Sequence, residues 1–127
     1  MAPNRLALAL ILAGAVLAFA GRAQAADDWG AIAVDLGKYE SSPLYGIGGG
    51  ASEDEAGANA MKFCSQAGGT HCKLQTTYAQ CGAYAASHTS GGWGKAPTKK
   101  TAEIQALGGC GEDACKIVVS DCNEGSK

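Results

Sequence analysis

The chain repeats itself, and this repetition constrains the fold more than any other feature of the sequence. Gly-Ala-Ile-Ala at 30–33 is matched by Gly-Ala-Tyr-Ala at 82–85, and segment 52–64 aligns without a gap on segment 98–110. Each of these two longer segments runs from a hydroxyl residue to a cysteine. Landmarks that recur in one order predict two copies of a unit of about 45 to 50 residues.

Three short strands are predicted in each copy. The apolar runs 31–34 and 83–86 predict the first strand, and the second strand follows around Tyr45 or Trp93. Segments rich in Thr, Val and Ile predict the third strand, at 73–78 in one copy and 116–120 in the other.

One helix is predicted between the second and third strands of each copy. Ser52 followed by Glu55 matches the capping-box pattern, and Thr98 holds the same place in the second copy. An apolar stripe of helical spacing follows, formed by Ala56, Ala60, Met61 and Cys64 and by Ala102, Ala106, Leu107 and Cys110. The predicted fold is therefore α+β: two tandem ββαβ repeats, an antiparallel sheet and two helices.

Six cysteines predict three disulfides. An even number of cysteines in an exported chain is typical of a disulfide framework formed in an oxidising compartment. Because equivalent cysteines should do equivalent work, the predicted pairs are Cys64 with Cys72, Cys110 with Cys115, and Cys81 with Cys122, the last joining the two copies. A crossed set between the copies is one alternative. A zinc site at His71 and Cys72 is another, although the sequence has no CxxC motif.

The N-terminus predicts an export signal. Arg5 precedes the apolar run 6–20, and Ala-Gln-Ala at 23–25 matches a cleavage site, so residues 1–25 are predicted to be removed. A retained anchor is the alternative, but the run is shorter than the ~20 residues that span a bilayer. The mature chain, 26–127, is predicted to be a single domain with repeats over 29–81 and 82–122, periplasmic or secreted, with no membrane anchor.

Charge argues against a nucleic-acid partner. Both arginines of the chain, Arg5 and Arg22, lie in the predicted signal and would be removed with it, and acidic residues outnumber the lysines that remain. Phosphate binding requires a basic surface, so no nucleic acid is predicted to bind.

Several of these features together resemble a known family. The order W-G-A-I-A at 29–33, C-G-A-Y-A at 81–85, W-G at 93–94 and cysteines closing each helix and strand resembles the bacterial exported family called domain of unknown function 4189. The resemblance covers essentially the whole mature chain. It implies a small, exported, disulfide-bonded protein, and it carries over no catalytic residue.

The glycine-rich segment 46–51 superficially matches the phosphate-binding loop of a dinucleotide site. The second copy has no such glycine run, and three acidic residues at 53–55 would repel a pyrophosphate. A flexible turn between strand and helix is the preferred interpretation, and no cofactor is predicted.

Aromatic residues occupy matched places in the two copies. Tyr45-Gly46 aligns with Trp93-Gly94, and both aromatic residues are predicted to lie in the core, as is Trp29. A contact role is the alternative, for which Trp93 is the candidate.

The strand connections 35–44 and 87–92 are the predicted recognition loops. The first carries Lys38, Tyr39 and Glu40, a combination that suits a protein interface, and the second carries His88. We predict a non-enzymatic binding module that engages a protein partner, for example as an inhibitor or immunity-type protein, through these residues and Trp93. The alternative is a small cell-envelope hydrolase that uses His88 with a carboxylate. No metal is predicted.

Overall fold

The computed structural model describes residues 28–37 and 42–123. The elements, in chain order, are β1 (Trp29–Asp35), β2 (Tyr45–Gly50), α1 (Glu53–Gln66), β3 (Cys72–Tyr78), β4 (Cys81–Ala86), β5 (Gly91–Ala96), α2 (Lys99–Cys110) and β6 (Lys116–Cys122). This order confirms the two predicted ββαβ repeats. We call β1 to β3 with α1 the first half, and β4 to β6 with α2 the second half.

Each half contains one antiparallel three-stranded sheet. The strand orders are β2-β1-β3 and β5-β4-β6, so the first strand of each half is central. The registers match: Ile32 lies opposite Ile47 and Thr76, and Tyr84 lies opposite Trp93 and Val119. The register also shifts at the same place, after Ile32 in one half and after Tyr84 in the other.

The two sheets pack face to face, with one helix on each outer face. Because side chains alternate along a strand, Ala31 and Ala33 face α1 while Ile32 and Val34 enter the layer between the sheets. Tyr84, Ala86 and Val119 meet them there from the second sheet. The described part of the chain therefore has four layers, helix, sheet, sheet and helix, and three apolar clusters lie between them.

The glycine-rich segment 46–51 contains a strand, not a flexible turn, so that prediction is wrong. Strand β2 runs to Gly50, and a Cβ atom on Gly46 or Gly48 would collide with the backbone of α1. Gly92 and Gly94 of β5 stand in the same relation to α2. Glycine is required here because each helix lies directly on the backbone of its edge strand.

The helices begin where the sequence predicts. The side chain of Ser52 accepts a hydrogen bond from the N–H of Glu55, and that of Thr98 from Thr101. The alanines of both predicted stripes and their terminal cysteines are buried, and Met61 packs partly against the core. Leu107 departs from the prediction because it is 37% exposed; one residue past Ala106 it has rotated away from the sheet.

All three predicted disulfide pairs are confirmed. Two of them, Cys64–Cys72 and Cys110–Cys115, join the end of a helix to the following strand or its start. All six cysteines are bonded, which fits an oxidising, exported location.

The Cys81–Cys122 disulfide does not join the two halves, contrary to the prediction. Cys81 is the first residue of β4, and Cys122 lies directly opposite it on β6. By register Cys81 corresponds to Trp29, the first residue of β1, so this bond lies within the second sheet.

Tyr78 fills the centre of the contact between the halves. It is 1% exposed, and its ring occupies the space that a Cβ on Gly30 or Gly82 would need. Its hydroxyl donates a hydrogen bond of 2.6 Å to the carboxylate of Asp121. Burial, together with the bond to that anion and its charge, raises the pKa of Tyr78. Tyr78 and Asp121 also hold equivalent register positions, opposite Gly30 and Gly82 respectively.

The predicted signal peptide, residues 1–25, lies outside the described residues. Within the described part of the chain, neither helix combines the length and apolarity that a membrane crossing needs. The limits of the mature domain and of its repeats stay predictions.

Candidate functional site

The predicted site residues fall into two groups. Lys38, Tyr39 and Glu40 lie outside the residues that the structure describes. His88 lies exposed in the connection between β4 and β5, and Trp93 lies in the middle of β5. Trp93 therefore stands on a strand, whereas His88 lies in a loop.

The prediction that Trp93 and Tyr45 lie in the core is wrong. Trp93 is 46% exposed and Tyr45 is 40% exposed. Both stand on edge strands, beside glycines that face the helix, so alternation directs the aromatic rings to the opposite side of the sheet. At that edge the facing sheet leaves them partly uncovered. Trp29, also predicted to be core, is half-buried at the margin of the first-half cluster.

The predicted equivalence of Tyr45 and Trp93 is also wrong. Trp93 pairs with Tyr84 on the central strand, and the residue that pairs with the matching position, Ile32, is Ile47. Ile47 is partly buried and packs against the cluster between the sheets. The second half thus presents an exposed indole where the first half places a packed aliphatic side chain.

A cleft adjoins this face where the two halves meet. It has a volume of about 270 Å³ and is lined by residues of four structural segments, among them Trp29, Glu53, Tyr78, Lys95 and Pro97. Lys95 follows Trp93 by two residues and lies on the same side of β5. We call Trp93, Lys95 and this cleft the Trp93 face. It combines an aromatic ring, a cation and an anion on rigid elements.

The loop that carries His88 is tied to the turn after α2. The hydroxyl groups of Ser87 and Thr89 donate hydrogen bonds to the carboxylate of Glu112, at 2.7 Å from Ser87 and at 2.6 and 2.8 Å from Thr89. These donors, Thr89 first and Ser87 second, lower the pKa of Glu112. The Ser87 hydroxyl also accepts from the backbone N–H groups of Thr89 and Ser90, which closes the turn around His88.

The first half has a corresponding set of hydrogen bonds between its first loop and the turn after its helix. Here the carboxylate lies at the end of the first strand and not in the turn. Asp35 ends β1 and accepts hydrogen bonds from the backbone N–H groups of Gly37, at 2.8 Å, and Thr70, at 3.0 Å. These bonds, with a smaller one from His71, lower the pKa of Asp35. His71, beside the Cys64–Cys72 disulfide, is exposed. Both ties hold the first strand connection against the turn between helix and third strand.

Two features of the structure were missed by the sequence interpretation. The first is the Tyr78–Asp121 hydrogen bond, because nothing in the sequence indicates that equivalent strand ends meet. The second is a groove between α1 and β3 at Gly57, whose counterpart in α2 is Glu103. The gap-free alignment of segment 52–64 with segment 98–110 already pairs Gly57 with Glu103, so this difference is visible in the sequence. In the described part of the chain, no three potential metal ligands among His, Cys, Asp and Glu cluster together.

The fold and the site define a duplicated, disulfide-bonded α+β module with an exposed tryptophan beside a cleft. The family model described as "Domain of unknown function (DUF4189)" matches residues 29–122, so the chain belongs to this family. Neither the curated proteins nor the solved structures contain a match to the chain.

Proposed function

We propose that this chain is a non-enzymatic binding module, periplasmic or secreted, that engages a protein partner through the Trp93 face. One observation carries the proposal. Trp93 is 46% exposed on a regular strand, while Ile47, the residue at the equivalent register position of the first half, is partly buried. Tryptophan is, with tyrosine and arginine, one of the residue types enriched among those that dominate binding energy at protein interfaces.

The strand that presents Trp93 is held in place before any partner arrives. Gly92 and Gly94 on either side lie directly against α2, and β5 pairs with β4 over its full length. The Cys81–Cys122 bond fixes β4 to β6 in turn. A preorganised surface loses little conformational entropy on association, which favours tight binding from a small contact.

The neighbouring cleft supports a polar component of recognition. Lys95 and Glu53 provide opposite charges at its rim, and Trp29 adds a second aromatic surface. Charged groups at a rim set orientation and association rate more than affinity. The proposed role is that of an inhibitor or immunity-type protein. Lys38, Tyr39, Glu40 and His88 are proposed to contribute further contacts.

Affinity capture with the oxidised protein tests this proposal when it is run beside the variant Trp93→Ile. Isoleucine is the residue that the first half carries at this position, so the variant should keep the fold and its melting temperature. We expect a stoichiometric partner whose affinity falls at least about tenfold in the variant, since such anchors contribute about 2 kcal/mol or more. A partner that binds both proteins equally well would refute the Trp93 face as its site.

A second candidate function is a hydrolase that uses His88 with a carboxylate. Glu112 favours it by position, since its carboxylate contacts both residues that flank His88 in sequence. Those contacts also engage the carboxylate in anchoring the loop. Turnover of a cell-envelope substrate that is abolished by His88→Ala and retained by Trp93→Ile would establish this alternative.

A further inference from the structure

A groove between α1 and β3 is open in the first half of the molecule. It has a volume of about 430 Å³ and is lined by Leu74 of β3 and by Met61 and Gly57 of α1. Leu74 is 46% exposed although it stands on the sheet face that α1 covers. The helix lies mainly over β1 and β2, so the apolar surface of β3 extends beyond it.

The two halves differ at position 57, which lines this groove. Gly57 and Glu103 each lie five residues after the N-cap of their helix. The Glu103 carboxylate accepts a hydrogen bond of 2.7 Å from the hydroxyl of Ser120 and so connects α2 to β6. Thr77 holds the register position equivalent to Ser120, but Gly57 has no side chain that could reach it.

The edge of β3 indicates that the occupant is a polypeptide. Among the described strands β3 pairs only with β1, so its other edge offers backbone donors and acceptors at peptide spacing. Side chains directly opposite on neighbouring strands lie about 4.5 to 5.5 Å apart. A side chain of an added strand that stands beside Leu74 would therefore enter the groove.

Charge defines the occupant further. Glu53 and Asp54 line the groove at the start of α1, whereas Lys99 and Lys100 hold the same positions in α2. An apolar groove with an acidic end complements an aliphatic side chain near a basic one. In an extended strand these two side chains share a face when they are two residues apart.

We propose that this groove binds an extended segment of a partner protein, which adds to the edge of β3. An aliphatic side chain of the segment packs on Leu74, and a Lys or Arg two residues away faces Glu53 and Asp54. The groove lies on the outer, helix-covered side of the first sheet, and of its lining only Glu53 also belongs to the cleft of the Trp93 face.

Nuclear magnetic resonance titration of the oxidised protein with the capped peptide Thr-Leu-Thr-Lys-Thr tests the proposal. We expect saturable shifts of the amide signals of β3 and of the first turns of α1. Replacing the peptide's leucine by serine should weaken binding about tenfold, because the buried aliphatic contact is lost. Replacing its lysine by glutamate should weaken binding about threefold, as expected for an exposed ion pair.

Two variants at one position provide the matched control. Gly57→Glu copies the second half and should close the groove by bonding Thr77, reducing peptide affinity about tenfold. Gly57→Ala should bind within about a factor of two of the parent protein, since it adds only a methyl group. Leu74 is the nearest neighbour of that methyl, and it has a flexible side chain. Trp93→Ile should leave peptide binding unchanged.

Several results would overturn the proposal. They are the absence of saturable binding, equal binding by Gly57→Glu and the parent protein, and shifts located away from β3 and α1. Concentration-dependent dimerisation that Gly57→Glu abolishes would also overturn it, since the groove would then hold a second copy of this chain.

Discussion

The two halves of the molecule share one backbone plan and differ in the side chains that they present outward. Positions where backbones touch are alike: Gly48 and Gly94 both lie against a helix. Positions away from these backbone contacts have diverged, since the first half carries Ile47 and Gly57 where the second carries Trp93 and Glu103. Each half thus serves as an internal reference for the other. The differences separate what the fold requires from what is free for recognition.

The loop ties teach the same lesson about charge. In the first half the carboxylate, Asp35, lies at the end of the central strand, and in the second half the carboxylate, Glu112, lies in the turn after the helix. The contact is preserved although donor and acceptor have exchanged places. Packing of a loop against its neighbouring turn is therefore a property of the fold, and the residue types that achieve it are not.

The largest expected effect is the loss of stability when the disulfides are removed one at a time, because the long one lies in the second half. Cys81–Cys122 closes a separation of 41 residues, whereas Cys64–Cys72 and Cys110–Cys115 close 8 and 5. Removing the long link should cost about 4 kcal/mol of unfolding free energy, and each short one about 2 to 3, by the chain-entropy estimate. Denaturant unfolding of the paired Cys→Ser variants measures this.

Amide hydrogen exchange of the variant that lacks Cys81–Cys122 sharpens the test. Protection should fall in β4 and β6 and persist in β1 and β3, because the bond lies within the second sheet. Equal loss of protection in both sheets would support a link between the halves instead.

The next effect tests the likeness of the halves. Gly48→Ala and Gly94→Ala each place a methyl group against a helix backbone, which should cost about 1 to 3 kcal/mol of stability. The two losses should agree within about 0.5 kcal/mol if the packing is truly repeated. Gly108→Ala is the control, since no atom beyond its neighbours in its own helix lies within 4 Å of the added methyl, and thermal unfolding reports all three.

An effect of similar size concerns the contact between the halves. Tyr78→Phe keeps the ring but removes the donor to Asp121, which should lower stability by about 1.5 to 3 kcal/mol. Asp121→Asn keeps an acceptor and should cost less. The reference for both variants is the free energy of unfolding of the parent protein at neutral pH, in which the Tyr78 hydroxyl is intact.

The raised pKa of Tyr78 leads us to expect a loss of stability at high pH. Because folding raises the pKa of Tyr78, its contribution is complete below the unfolded value of about 10 and is lost as the pH rises beyond it. Tyr78→Phe should abolish that part of the alkaline loss in denaturation curves recorded between neutral and alkaline pH. An unchanged alkaline profile would contradict the assignment.

The smallest effect lies in the two loop ties. Folding lowers the pKa of Asp35 and of Glu112, so both contribute stability above their unfolded values, 3.8 and 4.5, and lose it as the pH falls below them. Asp35→Asn and Glu112→Gln should each remove part of the acid dependence. Carboxyl titration by nuclear magnetic resonance should give similar directions of shift in the two halves.

Much of the fold could be predicted from the sequence because repetition restricted the choices. Equivalent cysteines limited the disulfide pairings, and a hydroxyl residue marked the start of each helix. The predicted role of Cys81 is wrong because this residue lies where the two copies meet. It closely follows β3, the last strand of the first half, and is the first residue of β4, the first strand of the second half. Sequence order alone does not say to which sheet such a residue belongs.

The site was harder to predict for a geometric reason. Tyr45 and Trp93 both precede a glycine, but glycines recur along both edge strands, so the pattern also fits a shift of two residues. Only the strand register shows that Trp93 matches Ile47. Exposure likewise depends on how far one sheet covers the other, a property that periodicity along the chain does not contain.

The central claim is that the protein binds its partner where its two halves differ, at Trp93. Hydrogen exchange of the captured complex against the free, oxidised protein tests this most directly. The account predicts that the partner protects the amides around Trp93 in β5 and leaves those around Ile47 in β2 unchanged. Protection of β2 instead of β5, or of both alike, would contradict it.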